Sequence, residues 1–409
     1  MDITSPILDQ WPQVRSALPR GFDLEATARA RQAFSRARGV PDAETLLRLA
    51  LGYGACGMSL RECCAWAEAG AIASLSDPAL LHRLCGAADW LGDLTGALLA
   101  KQAPAPAGRW AGHRLRAIDA TAICAPGADR TTWRLHAGYD LASGQVDQIE
   151  LTDGRGAESL KRFKHRPGDI VLADRGYARP RDLRPVVTAG ADFIVRIGWN
   201  SLRLLNPGGG PFDLFATLAR RGKRERQTMV RVDEGSGAEP PLLLRLIMRR
   251  KSAKDIEAAQ TRLLKEAKKR GKKPDPRSLE AAKYILLLTS LPDPRFRAAD
   301  VAALYRMRWQ IELAFKRFKS LAGLDALPAK HPDLSRSWIY ARLIAILLAE
   351  RIAGKLPDSS PSAPDKPGGQ PVAMAKPQDG SRKRPGRDPW RALMAAHAKS
   401  LQETPALHL

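Results

Sequence analysis

Hydrophobic and polar positions along the first quarter of the chain follow the spacing of short α-helices. Apolar residues dominate positions 45–53, and a glycine turn follows at 54–57. Ser59 then begins another helix, with Glu62 three residues later completing a capping box, and Asp77-Pro78 is a third start signal. Short helices joined by a glycine turn are typical of a helix-turn-helix that binds DNA, and equally of a packing or dimerisation domain. The pattern predicts an N-terminal helical domain over residues 1–105 and leaves its role open.

After about residue 113 the pattern changes to that of β-strands. Three apolar, β-prone runs at 115–123, 132–141 and 145–152 predict three antiparallel strands. A buried strand at 169–173, a helix at 180–189 and a strand at 192–197 follow, so strands and helices alternate. The predicted fold class is therefore α/β, with a mixed sheet.

A second strand-rich region interrupts this alternation. It covers about residues 198–283 and ends in a basic helical segment, 249–273, with eleven Lys or Arg against three Asp or Glu. A strand at 284–290, a long helix at 298–321 and an apolar helix at 335–352 follow, and we expect the last helix to close the domain. We predict one domain over 113–353 with an insertion at about 198–283. The remainder, 354–409, is predicted to be a mostly disordered basic tail, because 16 of the 33 residues at 357–389 are Pro, Gly or Ser.

Charge narrows the choice of partner. The chain has 409 residues, with 66 Lys or Arg against 43 Asp or Glu and a formal net charge of +23. This excess predicts a polyanionic partner, either nucleic acid or an anionic membrane surface. The longest strongly apolar run, 343–349, is far shorter than the roughly 18 residues of a membrane span. We therefore expect a soluble, cytoplasmic, nucleoid-associated protein that binds nucleic acid and no membrane. Segment 249–273 is predicted to follow phosphates, with a solvated helix face as the alternative.

Two aspartates lie at strand positions where carboxylates are costly. Asp119 lies inside the apolar strand 115–123, and Asp174 ends the strand 169–173. A buried carboxylate is destabilising unless it is paired, hydrogen-bonded or bound to a metal. On neighbouring strands, two such carboxylates would suit a hard divalent cation such as Mg²⁺. The alternative for either residue taken alone is an ordinary strand-end cap.

A third carboxylate lies on the helix predicted at 298–321. Glu312 is the one acid within residues 305–320, which contain five bases. At about 100° per residue, one narrow stripe of this helix carries side chains of mixed chemistry. This stripe indicates a carboxylate for metal among cations for phosphate, and the alternative is an exposed face of ion pairs between residues three or four apart. Its members are Tyr305, Arg308, Glu312 and Lys319.

These residues resemble the motifs of a known family. The spacing Tyr305-x2-Arg308-x3-Glu312-x6-Lys319 is similar to the Y-R-E-K signature of IS4-family DDE transposases. The sequences Ile118-Asp119-Ala120-Thr121 and Asp174-Arg175-Gly176-Tyr177 resemble the first and second acidic motifs of that family, in the same order. The distance from the second motif to Glu312 leaves room for the inserted β-rich domain of the family. The resemblance covers roughly residues 40–350.

The resemblance implies an RNase H-like catalytic core in a DNA transposase that binds transposon ends. Asp119, Asp174 and Glu312 would be catalytic and hold two Mg²⁺ (or Mn²⁺) ions for DNA cleavage and strand transfer. Transposition would be cut-and-paste, through a hairpin at the transposon end, with a homodimer holding double-stranded DNA ends and target in the synaptic complex. The residues assigned to DNA phosphates are Tyr305, Arg308, Lys316, Lys319 and Arg175.

Two alternatives and one departure from the family accompany this interpretation. A related Mg²⁺-dependent nuclease, or a domesticated DNA-binding protein without strand transfer, is compatible with the same residues. Relatives use a tryptophan late in the insertion domain to hold a flipped-out base, whereas Trp199 lies at the start of that region. Trp309, next to the signature, is a candidate either for base stacking or for packing against the sheet.

Overall fold

The computed structural model describes residues 11–99 and 112–353, except positions 129, 221–224, 234–239, 294 and 325–326. The predicted tail, 354–409, lies outside the described residues. The described residues divide into two compact units, one formed by those of 11–99 and 317–353 and the other by those of 112–316. In the described ranges, no helix has both the length and the apolar composition needed to cross a membrane.

The first unit begins with helices, as the sequence predicts, and one of the two predicted start signals is confirmed. Ser59 and Glu62 form the predicted capping box. The helix predicted to start at Asp77-Pro78 begins one residue earlier than predicted, because Ser76 and not Asp77 occupies the N-cap position. The helices are α1 (Trp11–Ala17), α2 (Leu24–Ala30), α3 (Ala43–Gly54), α4 (Leu60–Ala69), α5 (Asp77–Gly86) and α6 (Ala88–Leu99).

The last described helix also belongs to this first unit. The helix Pro332–Ala353, α13 in chain order, packs against α3, α5 and α6. A Cβ on Gly54 of α3 would lie 2.5 Å from the Cβ of Ala341, so only glycine permits this approach. Every residue from 343 to 349 is buried. The sequence predicts this helix as a cap on the catalytic domain, and that role stays a prediction. Its buried stretch needs several packing partners, and the N-terminal helices are among them.

The second unit is built on a nine-stranded mixed sheet. Its strands are β1 (Arg114–Ile123), β2 (Trp133–Asp140), β3 (Gln145–Asp153), β4 (Asp169–Ala173), β5 (Asp192–Arg196), β6 (Leu204–Leu205), β7 (Glu225–Val232), β8 (Leu242–Arg250) and β9 (Tyr284–Thr289). β1 runs antiparallel to β2 and parallel to β4, and β4 runs parallel to β5. The order β3-β2-β1-β4-β5 with these directions is an RNase H-like core, which confirms the predicted fold class.

The strands of the inserted segment extend the same sheet. β9 pairs antiparallel with β5, and β8, β7 and β6 follow in that order. The insertion predicted at 198–283 is therefore joined to the core through β9, which covers the otherwise open edge of β5. The connections along the sheet carry α7 (Pro180–Thr188), α8 (Leu214–Ala219), the basic helix α9 (Ala253–Lys269) and α10 (Pro276–Ala281).

The main hydrophobic cluster of the second unit covers one face of the sheet. Ile118 of β1, Ala173 of β4 and Val195 of β5 belong to it. Successive side chains of a strand alternate between the two faces. The residues that follow these three therefore point to the opposite face, and all of them are charged: Asp119, Asp174 and Arg196.

A buried ion network holds β1 against its neighbours. Arg114 of β1 pairs with Asp169, its register partner on β4, with Nε 2.8 Å from Oδ1. The Arg116 side chain is 2% exposed and pairs with Asp147 of β3 at 2.5 Å. Gly138 on β2 makes room for this second pair, because a Cβ there would lie 2.5 Å from Asp147 Oδ1 and 2.8 Å from Arg116 Nη2.

We predict that Gly138→Ala destabilises the second unit by about 2–4 kcal/mol, because the added methyl group pushes apart a buried ion pair. Unfolding by heat or urea measures this. Gly210→Ala is the matched control, because a Cβ at Gly210 meets nothing within 4 Å. Its effect should stay within about 0.5 kcal/mol. Equal stability of the two variants would contradict the role given to the ion network.

Candidate active site

Asp119 in β1 and Asp174, the residue that follows β4, are neighbours across this pair of parallel strands. They follow Ile118 and Ala173, the last register partners of this parallel pair. Asp119 accepts a hydrogen bond from the N–H of Ala120 at 2.8 Å. The pKa of Asp119 is raised to about 6, mainly by burial, with the charge of Asp174 acting in the same direction and the Ala120 amide against it. The fold thus brings together the two carboxylates that the sequence singles out.

The signature residues lie on two helices and not on one. The helix Ala298–Arg306 (α11) ends before Met307, and the helix Trp309–Ala322 (α12) begins after Arg308. The N–H groups of Met307 and Arg308 bond to carbonyls three residues earlier, which is the tighter 3₁₀ pattern. The prediction of a single helix over 298–321 is therefore wrong, and a stripe calculated for one straight helix does not hold across the break.

Tyr305 and Arg308 nevertheless reach the carboxylates. The Tyr305 hydroxyl donates to Asp174 Oδ1 at 3.3 Å. The Arg308 guanidinium lies 3.5 Å from Asp119 Oδ2 and 2.6 Å from Glu312 Oε1. Burial raises the pKa of Tyr305, so its hydroxyl stays protonated and remains a donor. The Tyr305 hydroxyl therefore contacts Asp174, and the Arg308 guanidinium contacts both Asp119 and Glu312.

The three carboxylates have the chemistry of a divalent-metal site but are not gathered into a cage. Carboxylate oxygens are the hard donors that Mg²⁺ and Mn²⁺ prefer. Among the described residues, no group of three or more His, Cys, Asp or Glu is placed to hold a metal ion. The Glu312 carboxylate is turned to Arg308, which it shares with Asp119. The donor set fits a divalent cation, and 52% of the Glu312 side chain is exposed.

The other predicted phosphate contacts are either exposed or have side chains outside the described part of the structure. Arg175 begins the turn Arg175–Tyr177 directly after Asp174, and it is exposed. Lys316 on α12 is exposed as well. Lys319 lies on the same helix, and its side chain is outside the described part of the structure. A role of these three residues in DNA binding stays a prediction.

The two candidate tryptophans differ in their surroundings. Trp199 packs edge-to-face on Phe215 at 5.6 Å, lies 4.6 Å beneath the Arg277 guanidinium and donates from Nε1 to Ser278. Its ring is therefore engaged in packing within the insertion. Trp309 is 47% exposed beside the signature. Base stacking stays a prediction for Trp309.

Sequence analysis missed Arg196, which lies at the same strand-end level as the two aspartates. It follows Val195, the last residue of β5 that pairs with β4. The available signal was the one that singled out Asp174, a charged residue at the end of an apolar strand. A cation and two carboxylates therefore occupy corresponding positions on three adjacent parallel strands.

Comparison with known proteins identifies the family of the chain. Residues 110–348 match the family model described as a transposase DDE domain. The chain therefore belongs to the DDE transposase family, whose members are DNA-cleaving and DNA-joining enzymes that use divalent metal ions. It is a DNA transposase, as the signature in its sequence predicts.

Individual relatives are transposases of bacterial insertion sequences. The putative transposase InsL for insertion sequence element IS186A of Escherichia coli (strain K12) is 45% identical over 348 residues, 84% of this chain and 94% of that protein. The transposase for insertion sequence element IS421 of Escherichia coli is 45% identical over 349 residues, with the same shares. The transposase for insertion sequence element IS231F of Bacillus thuringiensis subsp. israelensis is 25% identical over 277 residues, 59% of this chain and 57% of that protein. These matches confirm the resemblance to IS4-family transposases.

We predict that Arg308→Gln increases the thermal stabilisation that Mn²⁺ gives to the DNA-free protein. A metal ion that binds the carboxylates of the parent must displace the guanidinium, whereas in the variant Asp119 and Glu312 have lost this cation. Scanning fluorimetry with and without Mn²⁺ measures the effect as a larger rise in Tm. Arg306→Gln, at an exposed position of the same segment, is the control. Equal Mn²⁺ shifts in both variants would count against the position of Arg308 between the carboxylates.

Proposed function

We propose that Asp119, Asp174 and Glu312 form the catalytic triad of this transposase and bind two Mg²⁺ (or Mn²⁺) ions. The observation that carries the proposal is the position of Asp119 beside Asp174, on the face of the sheet opposite to the main hydrophobic cluster. Glu312 supports it because one guanidinium joins its carboxylate to that of Asp119. When bound, the ions would activate water or a 3′-hydroxyl and stabilise the leaving 3′-oxygen.

The protein's own side chains prepare this chemistry. Tyr305 donates to one oxygen of Asp174 and so restricts the orientation of that carboxylate. Arg308 compensates the negative charge of Asp119 and Glu312 in the DNA-free protein. A guanidinium is also a bidentate donor for phosphate, so Arg308 can exchange its carboxylates for a DNA phosphate. Arg175, Lys316 and Lys319 would add further cations near the cut end.

The proposal includes a homodimer on double-stranded DNA. Cut-and-paste transposition joins two ends of one element to a target, and the described residues of this chain contain one such triad. Two copies of the chain would supply one triad to each end in the synaptic complex. We propose association with the nucleoid on the same ground, because the net charge of +23 favours binding to any DNA.

The basic helix α9 is proposed as a surface for DNA phosphates. None of its 17 residues is buried, so burial of an apolar face does not explain it. Its last turn carries Lys268 and Lys269, and Arg270 follows as the C-cap residue. Cations near the C-terminus of a helix interact favourably with the helix dipole, which accounts for a small part of the basic charge at this end. The excess of basic over acidic residues in 249–273 is larger than the helix dipole explains, and it favours a polyanionic partner.

The triad is tested by removing each charge with little change in shape. We expect Asp119→Asn, Asp174→Asn and Glu312→Gln each to reduce cleavage of a transposon-end duplex to less than about one per cent of the parent, because each loses a metal ligand. Binding to the same duplex, measured by gel shift in Ca²⁺, should persist. Glu68→Gln, at an exposed position of α4, is the control and should cut normally. Cleavage well above that level would remove the residue concerned from the triad.

The phosphate surface is tested by the salt dependence of binding. Replacing Lys265, Lys268 and Lys269 together by Gln should weaken binding to any DNA and reduce the slope of log affinity against log salt by about one unit for each lost contact. Fluorescence anisotropy at several salt concentrations measures both effects. The control replaces the same residues by Arg, which keeps the charge and should keep the slope. If the Gln variant has the parent's slope, α9 is only a solvated helix.

A further inference from the structure

Arg196 ends β5 on the face of the sheet that carries the carboxylates. Phe193, Val195 and Ile197 belong to the main hydrophobic cluster, so Arg196 between them points to the other face. It comes one position after the β4–β5 pair Ala173 and Val195, as Asp174 does on β4. Arg196 is therefore the neighbour of Asp174 on the side away from Asp119.

The Arg196 guanidinium has no partner within the protein as far as the structure describes it. It is half-buried, and it makes no side-chain hydrogen bond or ion pair with any described residue. Other arginines of the same sheet show the contrast: Arg245 donates to two backbone carbonyls and to Gln227, and Arg114 pairs with Asp169. Asp174 is its strand neighbour but makes no ion pair with it, so the half-buried guanidinium keeps its donors for an external anion.

A second cation lies on the far side of Arg196. Lys251 directly follows β8, and its Nζ donates to the Ala282 carbonyl at 2.7 Å. Burial and, next, the charge of Arg196 lower the pKa of Lys251, so the two side chains share one electrostatic environment. Burial raises the pKa of Tyr305, and the charges of Arg308 and Arg196 act against this rise, so Arg196 is also coupled to the signature segment.

Strand direction places these cations along one edge of the sheet. β9 runs antiparallel to β5 and β8 runs antiparallel to β9, so the carboxyl ends of β5 and β8 lie at the same edge. Asp174 and Arg196 lie at the same level of the sheet. Ile247 of β8 is level with Arg196 through Leu287 of β9, and Lys251 lies four residues further along the same direction. Ser252 then caps the basic helix α9. The edge thus leads from the carboxylates to the phosphate surface proposed on α9.

We propose that Arg196, together with Lys251, binds backbone phosphates of the DNA strand that passes from the carboxylate site across the ends of β5 and β8 towards α9. The proposal rests on the proposed function, because it takes the DNA held at Asp119 and Asp174 as its ligand. A guanidinium fork suits a phosphodiester, and the lysine acts as a point charge beside it. Arg196 would therefore belong to the DNA-binding residues, although the family signature does not include it.

The experiment maps which DNA phosphates need Arg196. The probe is a duplex of the terminal inverted repeat next to the coding sequence, prepared as a series in which one phosphate at a time is a neutral methylphosphonate. Binding in Ca²⁺ is measured for the parent and for Arg196→Gln. We expect the variant to bind the unmodified duplex about tenfold more weakly, as for the loss of a charged hydrogen bond. We also expect it to lose the sensitivity to neutralisation at one or two phosphates near the cleavage position.

Arg203→Gln is the matched control. It removes the same charge from an exposed arginine, 76% of whose side chain is accessible and which pairs with Asp233. Its methylphosphonate profile should equal that of the parent. An Arg196→Gln profile equal to that of the parent would overturn the proposal.

Thermal unfolding separates a DNA contact from a structural role. Arg196→Gln should melt no lower than the parent, because the guanidinium has no described partner to lose. A clear fall in Tm would identify Arg196 as a structural residue and overturn the proposal. The binding profile does not depend on strand cleavage. Failure of the parent to cut the same duplex with Mg²⁺ would therefore contradict the proposed function, while the profile still decides the role of Arg196.

Discussion

The register of β1 against β4 is the constraint on which the rest of the site depends. Arg114 and Asp169 are register partners joined by a buried ion pair, and Asp119 and Asp174 each lie five residues further along the same strands. A slip of one residue in either strand would turn its aspartate towards the hydrophobic cluster. The ion pair at one end of the strands therefore keeps the two carboxylates adjacent at the other. Breaking such a buried pair is costly, so the alternative registers are strongly disfavoured.

Electrostatic balance is the second determinant of the site. Three carboxylates repel one another, and the DNA-free protein opposes this repulsion with the guanidinium of Arg308, between Asp119 and Glu312. The same guanidinium is suited to a phosphate, so its transfer to DNA would free the carboxylates for metal ions. The signature arginine can therefore act first as a counter-charge and then as a substrate contact, without a change in the fold.

Sequence reasoning identified the carboxylates because a charge inside or at the end of an apolar strand is locally conspicuous, as with Asp119 and Asp174. The family signature supplied Glu312 and its neighbours. The break at Met307 and Arg308 was not predictable, because the residues there favour a continuous helix and the 3₁₀ turn is visible only in the backbone bonding. The position of Arg196 was missed for a related reason. Its importance depends on which strands are neighbours, and the pairing of β5 with both β4 and β9 is a non-local property of the chain.

Iron-directed cleavage of the polypeptide tests the central claim most directly. Fe²⁺ substitutes for Mg²⁺ at oxygen-ligand sites, and with ascorbate and peroxide it generates radicals that cut the backbone close to its ligands. In the presence of transposon-end DNA, the account predicts cuts near Asp119, Asp174 and Glu312, suppressed by excess Mg²⁺ and absent from the Asp174→Asn variant. Cuts confined to other segments, or cuts unchanged in that variant, would contradict the assignment of the metal-binding carboxylates.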